Sequence, residues 1–246
     1  MKRLFTGMTD TGLIRSVNQD AYYIEPDGRF FVVADGMGGH AGGQEASRLA
    51  TQTIQEYLTT QWDSPLSSQD LLEKALLEAN QAILTDQRQN PERSDMGTTA
   101  VVIIFRDEQP MCAHIGDSRL YRLRGAKLDQ ITEDHTWVAR ALRLGEITAD
   151  QARSHPLRHV LAQCLGRDDL RQVDVQSLQV QPGDRLLLCS DGLTEELSDQ
   201  LIANQLKSIR ACEKAATALI NAAKDHGGRD NITVVIVAID VLTRSE

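Results

Sequence analysis

The sequence predicts an α+β chain in which mainly antiparallel sheets are covered by helices. Segments rich in β-branched and alternating apolar residues come in runs, near 20–25 and 30–34, then 99–105, 111–115 and 119–124, then 173–180 and 185–189, and last 232–241. The regular strand–helix alternation that builds a doubly wound parallel sheet is missing. With 246 residues, 41% hydrophobic and 25% charged, the chain has the composition of a folded protein with a sizeable core, read as one domain over 1–246.

Two strands open the pattern, and two helices follow. Over 43–60, Ala46, Leu49, Ala50, Thr53, Ile54 and Tyr57 form one apolar stripe, and over 70–90 Leu72, Ala75, Leu76, Ala79, Ala82 and Ile83 form another. QWDSPLSS between them is a short connection. After the three central strands, residues 134–165 read as mostly helical, interrupted at His155-Pro156. Two more strands, helices over 198–206 and 212–224, and the final strand complete the chain. It shows no repeat and no low-complexity tract.

The formal charge of −9 disfavours nucleic acid and anionic lipid as partners. MKRLFTGMTDTG has no apolar core of a signal peptide, and no segment approaches the ~18 uninterrupted apolar residues of a membrane span, so a cytoplasmic protein is expected. Cys112, Cys164, Cys189 and Cys212 are scattered without a CxxC pair and read as reduced thiols.

Chemistry gathers at acidic turns. FFVVADG leads an apolar strand into Asp35-Gly36, RLLLCSDG leads another into Asp191-Gly192, CAHIGDSR sets Asp117 between two strands, and HGGRDNITVVIVAI sets Asp230 before the last strand. Asp20, in NQD, precedes AYYI. Each motif alone is an ordinary turn, in which aspartate caps amides and glycine takes positive φ. Several carboxylates at the mouths of buried strands, however, cost desolvation unless a cation compensates. An oxygen-rich set without Cys/His spacing favours Mg²⁺ or Mn²⁺, with the Gly36 carbonyl as a further donor. The twelve-residue calcium loop is absent.

Other phosphate and metal motifs fail. The glycines from Gly38 to Gly43 are followed by Gln44 where a phosphate loop needs lysine. Cys112 and Cys189 lack the arginine spacing of a cysteine phosphatase loop, and His155-Pro156 breaks the helix that an HExxH site requires.

In TDTGLIRSVNQDAYYI, FFVVADGMGGHAGGQEAS, SDMGTTAVV, CAHIGDSRLYRL, ITEDHTWV, LLLCSDGLTEEL and GGRDNITVVIV, the chain resembles the PPM/PP2C family of metal-dependent serine/threonine protein phosphatases, in the compact form of bacterial and especially cyanobacterial members. These segments run in family order over about residues 6–241. The resemblance implies a four-layer α-β-β-α sandwich with metals in the cleft at one end. It also implies that Asp35 bridges two Mn²⁺ or Mg²⁺ ions, that the Gly36 carbonyl, Asp191 and Asp230 complete their ligands, and that Asp117 with Asp191 holds a weaker third. Asp20 would orient metal-bound water, Arg15 would grip the phosphate, and a metal-bridging hydroxide would attack phosphorus directly. On sequence alone Arg15 is a surface loop arginine.

Two departures from the family matter. Met37 stands where many relatives have a proton-donating histidine, which leaves His40 as the candidate donor against a water of the third metal. Gln19 replaces a glutamate and removes an outer charge. The insertion from Asp134 to Gly166 resembles the family's variable flap. The resemblance further implies phosphorylated proteins as substrates, the nitrogen-signalling PII protein among the candidates, and a monomer. Two other readings are a noncatalytic module, opposed by the retention of Asp35, Asp191 and Asp230, and an enzyme acting mainly on small phosphate esters.

Overall fold

The structure, a computed structural model, describes residues 2–39, 42–107, 109–170 and 173–240, with the backbone alone at 149, 153 and 154. The strands are β1 (Arg3–Asp10), β2 (Asp20–Ile24), β3 (Phe30–Met37), β4 (Gly97–Thr98), β5 (Ala100–Ile104), β6 (Met111–Ile115), β7 (Arg119–Arg124), β8 (Lys127–Gln130), β9 (Asp174–Ser177), β10 (Arg185–Cys189) and β11 (Ile232–Ile239). The helices are α1 (Gly42–Gln61), α2 (Ser68–Gln89), α3 (Trp137–Arg143), α4 (Ala149–Ser154), α5 (Asp191–Thr194), α6 (Asp199–Ser208) and α7 (Cys212–Asp225).

One sheet runs β1-β11-β10-β7-β8 and the other β2-β3-β5-β6-β9, with β4 added to β3. Every neighbouring pair is antiparallel. The fold is thus α+β, two central antiparallel sheets flanked by helices, as the element order predicts.

Strand alternation sorts the core into layers. On β3, Phe30 and Val32 pack with Ala46, Ile54, Leu72 and Leu76 of α1 and α2. Phe31 and Val33 point the other way and meet Leu186, Leu188, Val235 and Val237 of the facing sheet. Leu187, Val234 and Ile236 in turn pack under Ile202, Leu219 and Ala223 of α6 and α7. A strand covered on both faces is apolar at every position, and for this reason FFVVA and LLL read as continuous runs.

Three expectations change. The 134–165 segment is not mostly helical, because only α3 and α4 are helices there. Gly145 has φ +73°, and the backbone bonds Trp137 N–H to Val160 O and Ala162 N–H to His135 O close the segment as a loop. β1 has no counterpart in the sequence reading because its side chains mix polar with apolar. It pairs with β11 along its whole length, and the Tyr22 ring lies over Gly7, where a Cβ would sit 2.4 Å from Cε2. β3 continues past Ala34 through Asp35 and Gly36, so Asp35 sits within a strand and not in a turn. All four cysteines are free, as expected.

Candidate metal and phosphate site

The alternation that seats the core also builds the site. Positions 31 and 33 of β3 face the other sheet, so Asp35 does too, one step beyond the apolar layer. Asp20 opens β2 directly opposite Asp35 in register. Asp191 is the first residue of α5, just past the end of β10, Asp117 lies between β6 and β7, and Asp230 stands two residues before β11. All five predicted carboxylates meet at this end of the sandwich.

Burial and like charge act together here. Burial chiefly, then the fields of Asp20, Asp191 and Asp117, hold Asp35 well above the usual carboxyl range. Burial, then Asp191 and Asp134, does the same to Asp117, and burial followed by Asp230 raises Asp191. Asp20 is pushed up to about 7, chiefly by burial, against the hydrogen bonds of Thr233 and Ser190 that favour its ionised form.

Asp20 is held from one side. Its Oδ2 accepts from Ser190 Oγ and Thr233 Oγ1, both at 2.7 Å. Its Oδ1 and the Oδ1 of Asp191 are buried, and no donor reaches them. Bare carboxylate oxygens buried among other carboxylates are costly unless a cation joins them, so this donor set fits hard divalent ions. Asp35 is fixed through its backbone, with its N–H donating to Thr99 Oγ1 at 3.0 Å and its carbonyl accepting from Thr98 Oγ1 at 2.8 Å. Thr99 Oγ1 also hydrogen-bonds Ser118 Oγ at 2.7 Å.

Glycine is required at Gly36. A Cβ there would lie 1.9 Å from the Gly43 carbonyl oxygen, because the start of α1 presses on this strand. Gly192 faces a similar limit, 2.0 Å from the Asn231 carbonyl oxygen. Neither glycine has positive φ, and close backbone approach is the reason for both.

Arg15 joins the site through Asp230, with Nη2 2.7 Å from Oδ2. Its side chain is 51% exposed, so it can turn outward. Met37 packs toward Gly97, Gln19 donates its N–H to Asn231 Oδ1 at 2.8 Å, and His40 lies outside the described residues.

Several site residues escape sequence reading. His159 pairs with Glu195, and these two with Asp191 bring three ligand-type atoms within 4.8 Å of one another. Burial, then Asp191 and Asp230, pushes Glu195 up to about 7. A cleft of about 630 Å³ lined by Asp117, Asp191, Arg158, His159 and Glu195 lies between the 134–166 segment and the carboxylates, with His159 of that segment reaching Glu195. A second candidate ligand group joins His114 of β6 and Asp174 of β9 with His135, which lies between β8 and α3. The signal for Ser190 and Thr233 was present in SDG and DNIT, but it requires knowing which strand face they share.

The chain matches the model of the family described as protein phosphatase 2C over residues 15–233. The serine/threonine phosphatase stp of Listeria monocytogenes is 37% identical over 238 residues, covering 95% of this chain and 94% of the relative. The crystal structure of the Mycobacterium tuberculosis serine/threonine phosphatase PstP/Ppp superposes with a TM-score of 0.88 at 35% identity, covering 97% of this chain and 99% of that one. The catalytic domain of PstP in complex with two manganese ions gives 0.86 at 34% identity, covering 97% and 99%. With its carboxylate-lined cleft between two antiparallel sheets, this chain belongs to the protein phosphatase 2C family of metal-dependent serine/threonine protein phosphatases.

Proposed function

We propose that this phosphatase hydrolyses phosphoserine and phosphothreonine in proteins by direct in-line displacement at phosphorus. The observation that carries the reading is the convergence of Asp20, Asp35, Asp117, Asp191 and Asp230, with buried oxygens on Asp20 and Asp191 that no donor satisfies. Asp35, the Gly36 carbonyl, Asp191 and Asp230 would hold two Mn²⁺ or Mg²⁺ ions, and Asp117 with Asp191 a weaker third. When bound, such ions supply Lewis acidity, lowering the pKa of water and neutralising charge on the phosphoryl oxygens.

The protein's own groups do the rest. Asp20, anchored at Oδ2, presents Oδ1 to accept a proton from water and to orient it. Arg15 leaves Asp230 to grip two phosphate oxygens with its parallel donors. A cysteinyl-phosphate route is disfavoured, because burial pushes the Cys112 and Cys189 thiols up to about 12. Met37 cannot protonate the leaving serine or threonine, and His40 is our candidate for that step.

Residues 1–246 are read as one catalytic domain, with 134–166 a flap over the cleft, acting as a cytoplasmic monomer of the compact cyanobacterial type. No described helix is long and apolar enough to cross a membrane. The PII signalling protein is a candidate substrate. The test is phosphate release from phosphothreonine peptides with and without Mn²⁺. Asp191→Ala is expected to lower turnover by more than about 100-fold, and equal activity in that variant would remove Asp191 from the metal site.

A further inference from the structure

The loop joining β1 to β2 carries an apolar surface where a polar one is usual. Leu13, Ile14 and Val17 are 60%, 70% and 43% exposed. They bracket Arg15, the one charged residue between Thr11 and Gln19. A flexible loop would fold such side chains inward, but this loop is pinned at both ends. Asn231 Nδ2 donates to the carbonyls of Thr11 and Val17 at 2.9 and 3.0 Å, and Asn231 Oδ1 accepts from Gln19 N–H. Leu13 N–H donates to Gly228 O at 2.7 Å. The aliphatic side chains are thus held in water beside the segment that carries Asp230. Three aliphatic side chains kept exposed on one fixed loop mark a contact surface.

We infer that Leu13, Ile14 and Val17 dock aliphatic side chains flanking the phosphorylated residue of a protein substrate. The inference rests on the reading of Arg15 as the phosphate grip. Its occupant follows from continuity with that site. A phosphorylated side chain that reaches Arg15 belongs to a backbone advancing only ~3.4 Å per residue, which brings residues one or two positions away within reach of Leu13, Ile14 and Val17. Aliphatic flanks bury area against Ile14 and its neighbours. Acidic flanks find no further cation on the loop and meet a protein of charge −9.

The experiment uses the full chain with Mn²⁺ and two phosphothreonine peptides, one with leucine and valine beside the phosphoresidue, the other with asparagine and serine. p-Nitrophenyl phosphate, which has no flanking residues, is the control. The aliphatic peptide is expected to have a kcat/KM about fivefold higher, from partial burial of two side chains. Ile14→Asn, a substitution at an exposed position that leaves the fold intact, is expected to abolish that preference while p-nitrophenyl phosphate is still turned over. Equal rates on both peptides with the wild-type protein overturn the docking inference and leave the phosphatase reading standing. No turnover of any substrate overturns the phosphatase reading itself. A sedimentation shift from dimer to monomer in Ile14→Asn would assign the patch to a second copy of the chain and also overturn the inference.

Discussion

The hydrogen bonds around Asp20 have a single direction. Asn18 Nδ2 donates to Thr9 Oγ1 at 2.8 Å, and Thr9 Oγ1 lies 2.7 Å from Thr233 Oγ1. Thr233 donates its hydroxyl proton to Asp20, so the proton between the two threonines comes from Thr9. Thr233 N–H donates to Ser190 Oγ at 3.0 Å, which leaves the Ser190 proton for Asp20 as well. Both paths end on Oδ2 and favour the ionised carboxylate, leaving Oδ1 toward the other acids. Thr233→Val keeps the β-branched shape of a β11 residue but removes the donor and strands the Thr9 hydroxyl. We expect kcat/KM with Mn²⁺ to fall about tenfold, as is typical when a supporting partner of a metal site is lost. Thr233→Ser should restore most of it. Calorimetric Mn²⁺ titration supplies an independent readout, and Thr233→Val with unchanged Mn²⁺ affinity and kinetics would reduce Thr233 to a packing residue.

Strand β3 and helix α1 meet where a ligand carbonyl must stay open. Gly36→Ala places a methyl group against the Gly43 carbonyl, a backbone atom that cannot rotate away. The strand and the helix must separate, and overpacking of this kind costs about 1–3 kcal/mol. We expect a lowered Tm together with weakened Mn²⁺ binding, whereas Gly125→Ala, at a turn with open space around it, should leave Mn²⁺ binding unaltered. Equal Mn²⁺ affinity in wild type and Gly36→Ala would detach this junction from the metal site. Elements with strong periodicity were legible in the sequence: α1, α2 and α7 were expected close to their observed bounds, whereas β3, read from its apolar run alone, was expected to stop at Ala34 and continues to Met37. The acidic positions were legible as well, since Asp35, Asp191 and Asp230 each follow or precede an apolar run. β1 was not, because its strand character comes from pairing with β11 and not from its own pattern. Nor was the 134–165 loop, whose shape is set by cross-links such as that between Thr136 and Leu161. The Thr233–Asp20 bond joins residues 213 positions apart, and no local spacing encodes it.

For the molecule as a whole, one end of the inter-sheet layer concentrates negative charge that the fold must contain. Asp20, pushed up to about 7, is the clearest gauge of this. A free carboxyl titrates near pH 4, so the folded metal-free protein binds this proton more tightly than the unfolded chain does. Below about pH 4 both states are protonated and the group costs nothing. As pH rises from there through about 7, the folded state must ionise Asp20 against its neighbours, and stability is lost. Asp35, Asp117 and Asp191, also raised, act in the same direction. The chelated protein should therefore show a Tm that declines between about pH 5 and 8. A bound divalent cation reverses the electrostatics, because it is held by the ionised form and stabilises the native state by mass action. Saturating Mn²⁺ should raise Tm more at pH 8 than at pH 5, and Asp191→Ala should shrink that difference. The measurement is calorimetric unfolding of metal-free and Mn²⁺-loaded protein across this range. A metal-free Tm that rises with pH would mean that the carboxylate cluster is already compensated within the protein, and that the cation is not what the cleft is built to receive.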